Sequence, residues 1–569
     1  MNISPQLVSL QALITGRLFR IPQYQRAYSW TTKERRDLFS DIERTYQRKA
    51  DHFMATIVGL RREPRVILAT EYAVVDVVDG QQRLTTLVVL LKAIERQLAA
   101  IDDPASQAVA SELRGVLVKA DEVAPVLLQT NHDASSYCLT YLWEGTHPAS
   151  TDAKTIADRE LLKAFEDCEQ FVAGWASGGK TLIELVALLR NRLFFILHEI
   201  TDESLVYSVF EVLNSRGLDV SWFDRLKSIL MGIAFDAATG NASEAIDQLH
   251  NTWREIYACI GLRQGLRTEA LRFAATLLAQ APPSRPLAEE EAVSVLRHAA
   301  GGTAKGAIDV SRWVLKVTSI VDQLQGDRRL DGVTNILQAR LVAVAIMLRD
   351  DLTPADRNTV LGAWERVSFR IYGLYRRDAR TKVGDYSRLA WSCYKEKPAI
   401  GALLDAIHGL GKEYPIEKGV EQLRDSDCYN GWTGELRYLM FRYEEHLAAK
   451  AGQKFDNEQW SRIWEDSPSR SIEHICPQSA GEHEPSKGGI FVHRLGNLVL
   501  LPPGVNSSLG KKSPADKRET YVKTGLLIGQ DVAGRIPEWN RAAVEAREEE
   551  LLAWAAAEWG DAIAEGSAT

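Results

Sequence analysis

Three features that this sequence lacks narrow the class of protein. The chain contains no run of about 18 apolar residues, which a membrane-spanning helix requires. Its N-terminal segment lacks the basic start and the apolar block of a secretory leader. The six cysteines are scattered without a C-x-x-C pair, so neither a disulfide scaffold nor a zinc cluster is expected. We therefore expect a cytoplasmic protein.

A basic field over the whole molecule is also absent, since the formal net charge is -8. Any contact with nucleic acid must therefore come from local patches. The 569 residues are 45% hydrophobic and 25% charged, a globular composition in a chain too long for one hydrophobic core. We predict three domains, covering residues 1–240, 241–450 and 451–569.

Apolar periodicity predicts an α+β protein that is predominantly helical. Strands are expected over residues 53–60, 72–78 and 193–200, and a helix over 84–98. Thr31 and Glu34 form a capping-box pattern that begins a helix, and Ser221 and Asp224 form another, opening a helix to about residue 237. Helical periodicity dominates residues 240–450.

The clearest cluster of polar residues lies near the C-terminus, in three short segments. They are residues 471–477 (SIEHICP), 495–500 (LGNLVL) and 506–512 (NSSLGKK). Their pattern predicts a strand, a loop, a second strand and a helix. His474 precedes Asn497 by 23 residues and Asn506 by 32. A unit this compact could bring all three side chains around one metal ion.

These residue types suit the hydrolysis of a phosphodiester. The reaction needs a base to deprotonate water and a cation to neutralise the charge that develops on the phosphoryl group. His474 suits the first role because the pKa of imidazole lies near neutrality. Glu473 and Asn506 offer oxygen ligands for Mg²⁺ or Mn²⁺. Asn497 is predicted to orient the loop that carries His474.

A basic stretch follows the third segment. Residues 509–523 hold five basic and two acidic side chains, and Lys511 and Lys512 are predicted to contact DNA beside the cleaved phosphate. An isolated Glu-His pair would more often mark a buried structural histidine, but the three segments in order favour a nuclease. His483 and His493, in the connecting loop, are interpreted as surface or substrate-side residues.

The three segments together resemble the HNH-like (ββα-metal) nuclease domain of GmrSD-type modification-dependent restriction enzymes. The resemblance runs from residue 472 to residue 521. It extends to the final helix, where Trp539, Arg547 and Trp559 resemble the closing pattern of the family. It implies a DNA endonuclease with His474 as the catalytic base.

A second cluster, residues 78–86 (VDGQQRLTT), lies between a predicted strand and a predicted helix. Gly80 permits a tight turn, and the helix start presents free N–H groups to an anion. Arg83 adds a bidentate phosphate donor. Nucleotide binding is therefore predicted for Asp79, Gly80, Gln81, Gln82 and Arg83, where Asp79 either holds Mg²⁺ or caps the helix.

Residues 21–30 (IPQYQRAYSW) and 210–218 (FEVLNSRGL) complete the N-terminal pattern. Asn214 and Arg216 offer polar donors for a nucleotide, or form a surface turn. An altered backbone or base is predicted to be sensed by Tyr24, Gln25, Arg26 and Trp30, although tyrosines here are as often packing residues. With the DGQQR segment, these motifs resemble the domain shared by GmrSD-type enzymes and SspE nucleases. That resemblance implies a ParB/sulfiredoxin-like fold that binds or hydrolyses nucleoside triphosphates.

The helical middle carries one local concentration of positive charge. Residues 366–388 contain seven basic and two acidic groups, with four aromatic residues between them. Basic groups mixed with aromatics are typical of a nucleic-acid groove, whereas such a charge run is otherwise a solvated helix face. DNA contact is predicted for Arg376, Arg377, Arg380 and Lys382.

The two sets of motifs predict an anti-phage enzyme with two activities. A nucleoside triphosphate (GTP, UTP or ATP) and Mg²⁺ or Mn²⁺ are its expected cofactors, and modified double-stranded DNA is its expected substrate. Glucosylated hydroxymethylcytosine and a phosphorothioate backbone both remain open as the mark. Two alternatives are a nucleotide-controlled DNA-binding regulator with a silent nuclease domain, and a nuclease that cleaves RNA. A homodimer is expected only because homodimers are the commonest assemblies of soluble proteins.

Overall fold

The computed structural model describes residues 5–22, 25–119, 124–129, 135–200, 221–237, 242–454, 457–464, 467–478, 490–502, 505–536 and 539–561. The fold is α+β and 66% helical, as the sequence predicts. Two compact units form: residues 1–271 with 289–318, and residues 272–288 with 319–569. The division into three domains stays a prediction.

The first unit is built on a mixed six-stranded sheet. Its strands are Pro5–Ser9 (β1), Arg17–Ile21 (β2), His52–Ile67 (β3), Thr70–Asp79 (β4), Leu127–Gln129 (β7) and Leu193–Ile200 (β8), while Val118–Lys119 (β5) and Ala124–Pro125 (β6) form a separate pair. The spatial order is β1, β8, β3, β4, β2, β7. β3 and β4 form an antiparallel hairpin, and β3 runs parallel to β8. The three strands expected from the sequence are thus confirmed as parts of β3, β4 and β8.

Helices connect and follow the strands of the first unit. Their bounds are Leu10–Ile14, Thr32–Arg48, Gln81–Ala99, Pro104–Leu117, Ser135–Glu144, Ile156–Ser177, Leu182–Arg192, Trp222–Ala237, Ala242–Ile260 and Glu289–Ala299, and the helices Gln264–Leu278 and Ala304–Gly326 carry the chain between the units. Thr31 and Glu34 form the predicted capping box. Ser221 accepts a hydrogen bond from the backbone N–H of Asp224, which confirms the second predicted helix start.

The length and apolar character of a helix decide whether it could cross a membrane. No single helix in the described ranges is both long and apolar enough to cross a membrane. Ile156–Ser177 and Leu182–Arg192 reach that apolar length only together, and the pair is bent by 118°.

Among its described residues, the second unit is helical apart from one small hairpin, whose strands are Ile472–His474 (β9) and Leu498–Leu500 (β10). Its α-helices are Arg328–Asp331, Leu337–Met347, Pro354–Ser368, Val383–Lys395, Ile400–Gly411, Ile416–Glu421, Thr433–Lys450, Asn457–Trp464, Pro468–Ser471, Val505–Leu509, Pro514–Lys523, Leu527–Arg535 and Arg541–Trp559. The segment Phe369–Leu374 is a π-helical turn.

The aromatic residues of the basic stretch 366–388 belong to the core of the second unit. Phe369, Tyr372, Tyr375 and Tyr386 are all buried. Tyr372 donates a hydrogen bond to the carbonyl of Thr381, 2.8 Å away. These rings are packed against other side chains and serve the core, so the predicted contact with DNA rests on the basic residues of the stretch and stays a prediction.

Candidate functional site

His474 lies at the end of the β-hairpin in the second unit. β9 pairs antiparallel with β10, with His474 opposite Leu498 and Glu473 opposite Val499. Successive side chains leave a strand on opposite faces, so His474 and Glu473 project to different sides of the hairpin. The helix Val505–Leu509 follows β10. This arrangement confirms the order of strand, loop, strand and helix that the three C-terminal segments predict.

Both nitrogen atoms of the His474 imidazole have a polar neighbour. Its Nε2 lies 3.0 Å from Nδ1 of His493, and the amide nitrogen of Gln478 lies 3.3 Å from its Nδ1. An amide nitrogen can only donate, so Nδ1 of His474 carries a lone pair and its Nε2–H donates to His493. The ring of Tyr429 packs edge-on at 4.5 Å between centroids. Nδ1 is therefore the atom of this ring that can accept a proton.

The surroundings of His474 keep its imidazole neutral. Burial lowers the pKa of His474 to about 3, His493 and Lys517 act in the same direction, and Asp427 opposes them. A neutral imidazole is the form that a general base requires. A bound phosphate would place negative charge near the ring and raise this pKa toward the range in which proton transfer is efficient.

Glu473 is held by a buried lysine. Nζ of Lys517 lies 2.5 Å from Oε1 of Glu473 and 2.6 Å from the carbonyl oxygen of His474. Burial raises the pKa of Glu473, and the Lys517 ammonium counteracts this. Lys517 is fully buried, so it does not belong to a basic surface with the exposed Lys511 and Lys512. Its helix, Pro514–Lys523, instead brings a cation under the hairpin.

Asn497 fastens the loop that follows His474. Its side-chain oxygen accepts from the backbone N–H of Cys476 at 2.8 Å, and its amide donates to the carbonyls of Cys476 and Val492 at 3.0 and 2.8 Å. The side chain is completely buried. Three bonds to two backbone segments fix the positions of both. This geometry suits the orienting role that the sequence predicts for Asn497.

The final helix, Arg541–Trp559, supports the turn Leu495–Asn497, which directly precedes β10. Arg547 is buried and donates to the carbonyls of Gly496 and Leu498, both at 2.8 Å. A Cβ on Gly496 would come within 2.0 Å of the carbonyl oxygen of Val544, so only glycine allows the helix to pack this closely. Arg547 therefore connects the end of the chain to the site.

Two residues of this site were missed or discounted in the sequence. His493 precedes Asn497 by only four positions and was interpreted as a surface or substrate-side residue rather than as a partner of His474, whose ring it contacts. Tyr429 packs on both histidines and lies far upstream, where no motif marks it. Its segment is fastened because the N–H of Cys428 donates to the carbonyl of His493 at 2.9 Å. The sequence offered one signal for these two residues: His493 lies close to Asn497 along the chain. Tyr429 has no such signal.

The predicted DNA-contact residues fall into two groups: exposed cations, and cations paired with a carboxylate of the protein. Lys511, Lys512 and Arg377 are exposed, and Arg376 is exposed while its guanidinium donates to the carbonyl of Asp427 at 3.1 Å. Asp427 also influences the pKa of His474, so Arg376 stands at the border of the site. The other two cations are paired with carboxylates, namely Arg380 with Asp378 and Lys382 with Glu413.

Of the two predicted metal ligands, Glu473 has its side chain among the described residues. The described ranges contain no group of three or more His, Cys, Asp or Glu side chains that could share a metal ion. Glu473 contributes one buried carboxylate, which already binds the ammonium of Lys517. A carboxylate oxygen is also the kind of ligand that a divalent metal ion such as Mg²⁺ requires. The side chain of Asn506 lies outside the described residues. Glu473 therefore fits a metal ion if Lys517 releases or shares the carboxylate.

In the first unit, the DGQQR segment begins the helix Gln81–Ala99. Gly80 has a φ of +90°, and a Cβ there would lie 3.2 Å from the carbonyl oxygen of Thr56, so glycine is required at this turn. Burial raises the pKa of Asp79, although Arg26 and Arg83 oppose this. Arg83 stacks over Trp30 at 5.5 Å, and in the described ranges its guanidinium makes no hydrogen bond. Its donors remain available to a phosphate.

The other predicted residues of this region serve the packing of the first unit. Gln82 binds the backbone of Ser29 and Ala27, and Gln25 donates to the carbonyl of Val78 at 2.7 Å. Gln25, Gln81, Gln82 and Trp30 are all buried. Direct contact with DNA or nucleotide by these four side chains would need them to leave their present places, so we assign them positioning roles.

Arg26 is half-buried among the charges of Asp79, Asp224 and Glu34. It therefore remains a candidate for contact with DNA. Three further predicted residues, Tyr24, Asn214 and Arg216, lie outside the described residues.

Both ends of the chain match domains of restriction endonucleases. Residues 8–231 match the model of the GmrSD restriction endonuclease N-terminal domain, and residues 416–554 match that of the C-terminal domain. The chain belongs to the GmrSD restriction endonucleases, which confirms the resemblance inferred from its motifs. DNA is accordingly its partner, and DNA cleavage is its class of reaction. No curated protein sequence matches the chain.

Proposed function

We propose that this chain is an HNH-like, metal-assisted DNA endonuclease of anti-phage defence that recognises modified DNA and depends on a nucleoside triphosphate. The observation that carries the nuclease half is the neutral His474 imidazole, with Nε2 anchored on His493 and a lone pair on Nδ1. Nδ1 takes a proton from water as the water oxygen bonds to phosphorus. The bond from phosphorus to the leaving sugar oxygen then breaks, and that oxygen takes up a proton from solvent water.

Glu473 and Asn506 would hold Mg²⁺ or Mn²⁺, which would supply positive charge to the phosphoryl oxygens. Side chains of the protein position the base, hold the Glu473 carboxylate and bind the DNA backbone. Asn497 holds the loop after His474 and thereby aims the base. Lys517 keeps the Glu473 carboxylate ionised in a buried place. Arg376, with Lys511 and Lys512 on the exposed surface, would bind the DNA backbone.

The first unit is proposed to bind the nucleoside triphosphate with Mg²⁺ and to sense the modified DNA. Support comes from Arg83, which lies in the first turn of the helix Gln81–Ala99 with its guanidinium free of hydrogen bonds among the described residues. The start of a helix favours an anion through its free N–H groups and its dipole. Asp79, next to Arg83, would hold the magnesium ion of the nucleotide.

His474→Ala tests the nuclease half in a plasmid-nicking assay with Mg²⁺ or Mn²⁺. Loss of a general base costs about 10²–10⁴-fold in rate, so conversion of supercoiled plasmid should nearly cease while DNA binding and nucleotide hydrolysis persist. His298→Ala, in the exposed part of a helix of the first unit, is the matched control. Cleavage by His474→Ala at the wild-type rate would refute the mechanism. Binding without cleavage by the wild type would favour the regulator, and cleavage of RNA alone would favour the RNA nuclease.

Arg83→Ala tests the nucleotide half through the rate of hydrolysis of GTP, UTP and ATP by the full chain. The loss of a bidentate phosphate donor should lower that rate sharply. Arg44→Ala, which changes an exposed arginine of the helix Thr32–Arg48, should leave hydrolysis unchanged. If the wild-type protein binds none of these nucleotides at millimolar concentration, with or without modified DNA, this half of the proposal is wrong.

A further inference from the structure

One segment of the second unit, residues 425–432, links the nuclease site to the helical part of that unit. The backbone N–H of Cys428 donates to the carbonyl of His493 at 2.9 Å. The indole N–H of Trp432 donates to the carbonyl of Gly373 at 2.9 Å, in the π-helical turn. The segment is therefore fastened on both sides, and its middle lies against the site.

The backbone around Tyr429, in the middle of this segment, is fixed by one carboxylate. The side chain of Asp427 accepts hydrogen bonds from the backbone N–H groups of Tyr429 and Asn430, at 2.9 and 2.8 Å. It also accepts one from the side-chain amide of Asn430 at 2.8 Å. An aspartate that binds the next backbone N–H groups in this way stabilises a turn. The fold thus sets the position of Tyr429 without DNA.

The ring of Tyr429 contacts both imidazoles of the site. Its centroid lies 4.5 Å from that of His474, edge-on, and 5.6 Å from that of His493, with the rings nearly parallel. Burial raises the pKa of Tyr429, and the negative charge of Glu473 acts in the same direction. The tyrosine therefore belongs to the same site as the proposed base and the proposed metal ligand.

Packing accounts for the ring of Tyr429 but not for its hydroxyl. Among the described residues, this hydroxyl makes no hydrogen bond, and the side chain is only half-buried. In the same unit, the hydroxyls of Tyr372, Tyr375 and Tyr438 each donate to an oxygen of the protein. The Tyr429 hydroxyl is thus held in place by its ring and keeps its donor for a group that binds at the site.

The group that binds at a nuclease site is a phosphodiester. Its non-bridging oxygens gain negative charge as water attacks, and a donor that is already in position stabilises this charge without reorganisation. The nearby Lys517 ammonium is engaged by the Glu473 carboxylate and by the carbonyl of His474. A neutral phenol can therefore supply the hydrogen bond that this ammonium does not.

We propose that Tyr429 is a catalytic residue, whose hydroxyl donates a hydrogen bond to a non-bridging oxygen of the scissile phosphate while His474 takes a proton from the attacking water. The inference rests on the proposed nuclease mechanism and adds a residue to it. The phenol keeps its proton throughout, and the leaving sugar oxygen takes its proton from solvent water. The hydrogen bond strengthens in the transition state, so it acts on kcat.

Tyr429→Phe removes the hydroxyl and keeps the ring on both histidines. Plasmid nicking by the full chain, at several DNA concentrations, separates kcat from KM for the wild type and the variant. Urea unfolding shows whether the fold is kept. Tyr46→Phe, at a half-buried tyrosine of the first unit, is the matched control. Each nicking assay is repeated with excess Mn²⁺.

We expect Tyr429→Phe to lower kcat about 10²–10³-fold, as the loss of one preorganised donor does, with KM and the unfolding midpoint unchanged. A wild-type kcat, or a change in KM alone, overturns the inference. Full rescue by excess Mn²⁺ also overturns it, because the hydroxyl would then act through the metal. If His474→Ala abolishes nicking while Tyr429→Phe nicks normally, this inference fails and the proposed function stands. Wild-type nicking by His474→Ala is instead a failure of the proposed function.

Discussion

Replacement of Lys517 by methionine tests whether Glu473 is a metal ligand. The ammonium of Lys517 is completely buried, 2.5 Å from Oε1 of Glu473, and the carboxylate is 5% exposed. Lys517→Met keeps the side-chain volume but leaves a buried carboxylate without its counter-charge. Breaking a buried pair in this way costs about 3–5 kcal/mol. The double variant Glu473→Gln with Lys517→Met removes both charges and should lose much less than the sum of the single changes.

Bound Mn²⁺ is expected to restore part of the stability that Lys517→Met loses. A carboxylate freed from its ammonium should bind Mn²⁺ more tightly, and a ligand at ~100 times its dissociation constant stabilises the native state by ~2.7 kcal/mol. Urea unfolding of the full chain, with and without MnCl₂, measures both effects. Lys523→Met, at an exposed lysine of the same helix, is the control. The reasoning is refuted if Lys517→Met unfolds at the wild-type midpoint, or if Mn²⁺ stabilises it no more than it stabilises Glu473→Gln.

Two other substitutions follow from buried polar groups. Asn497→Ala removes three hydrogen bonds to Cys476 and Val492, so we expect a loss of at least ~2 kcal/mol in urea unfolding and slower plasmid nicking; unchanged nicking would contradict the aiming role. Burial lowers the pKa of Lys227 from 10.5 to about 8. The native state is therefore destabilised by ~3 kcal/mol below pH 8 and recovers as the pH rises toward 10.5. Lys227→Met should raise the unfolding midpoint at pH 7 and flatten its rise above pH 8, and an unchanged pH profile would contradict this.

Local patterns in the sequence were sufficient to predict the strands and helix starts around both candidate sites. A short apolar run predicted the strand from Leu193 to Ile200, and the capping boxes placed two helix starts correctly. The order of β9, β10 and the helix Val505–Leu509 also followed from sequence. These features depend on residues within about four positions of one another, where backbone hydrogen bonding and side-chain alternation act directly.

Side chains that act across long separations could not be assigned in this way. Lys517 stands among exposed basic residues in the sequence, yet folding places it under Glu473, 44 positions away. Tyr429 and His474 lie 45 positions apart along the chain and pack ring against ring. Gln25, predicted to read DNA, is instead bound to the carbonyl of Val78. Whether a polar residue faces solvent, substrate or core depends on which element packs over it.

By itself, the sequence determined the family, the α+β class, the positions of the two motif clusters and the residue type suited to each chemical task. Tertiary structure alone decided which of those residues are accessible and how His474 is anchored. The reason is physical. Motifs and periodicity reflect short-range backbone geometry, whereas burial, pKa and ion pairing arise from groups distant in the chain that packing brings within a few ångströms.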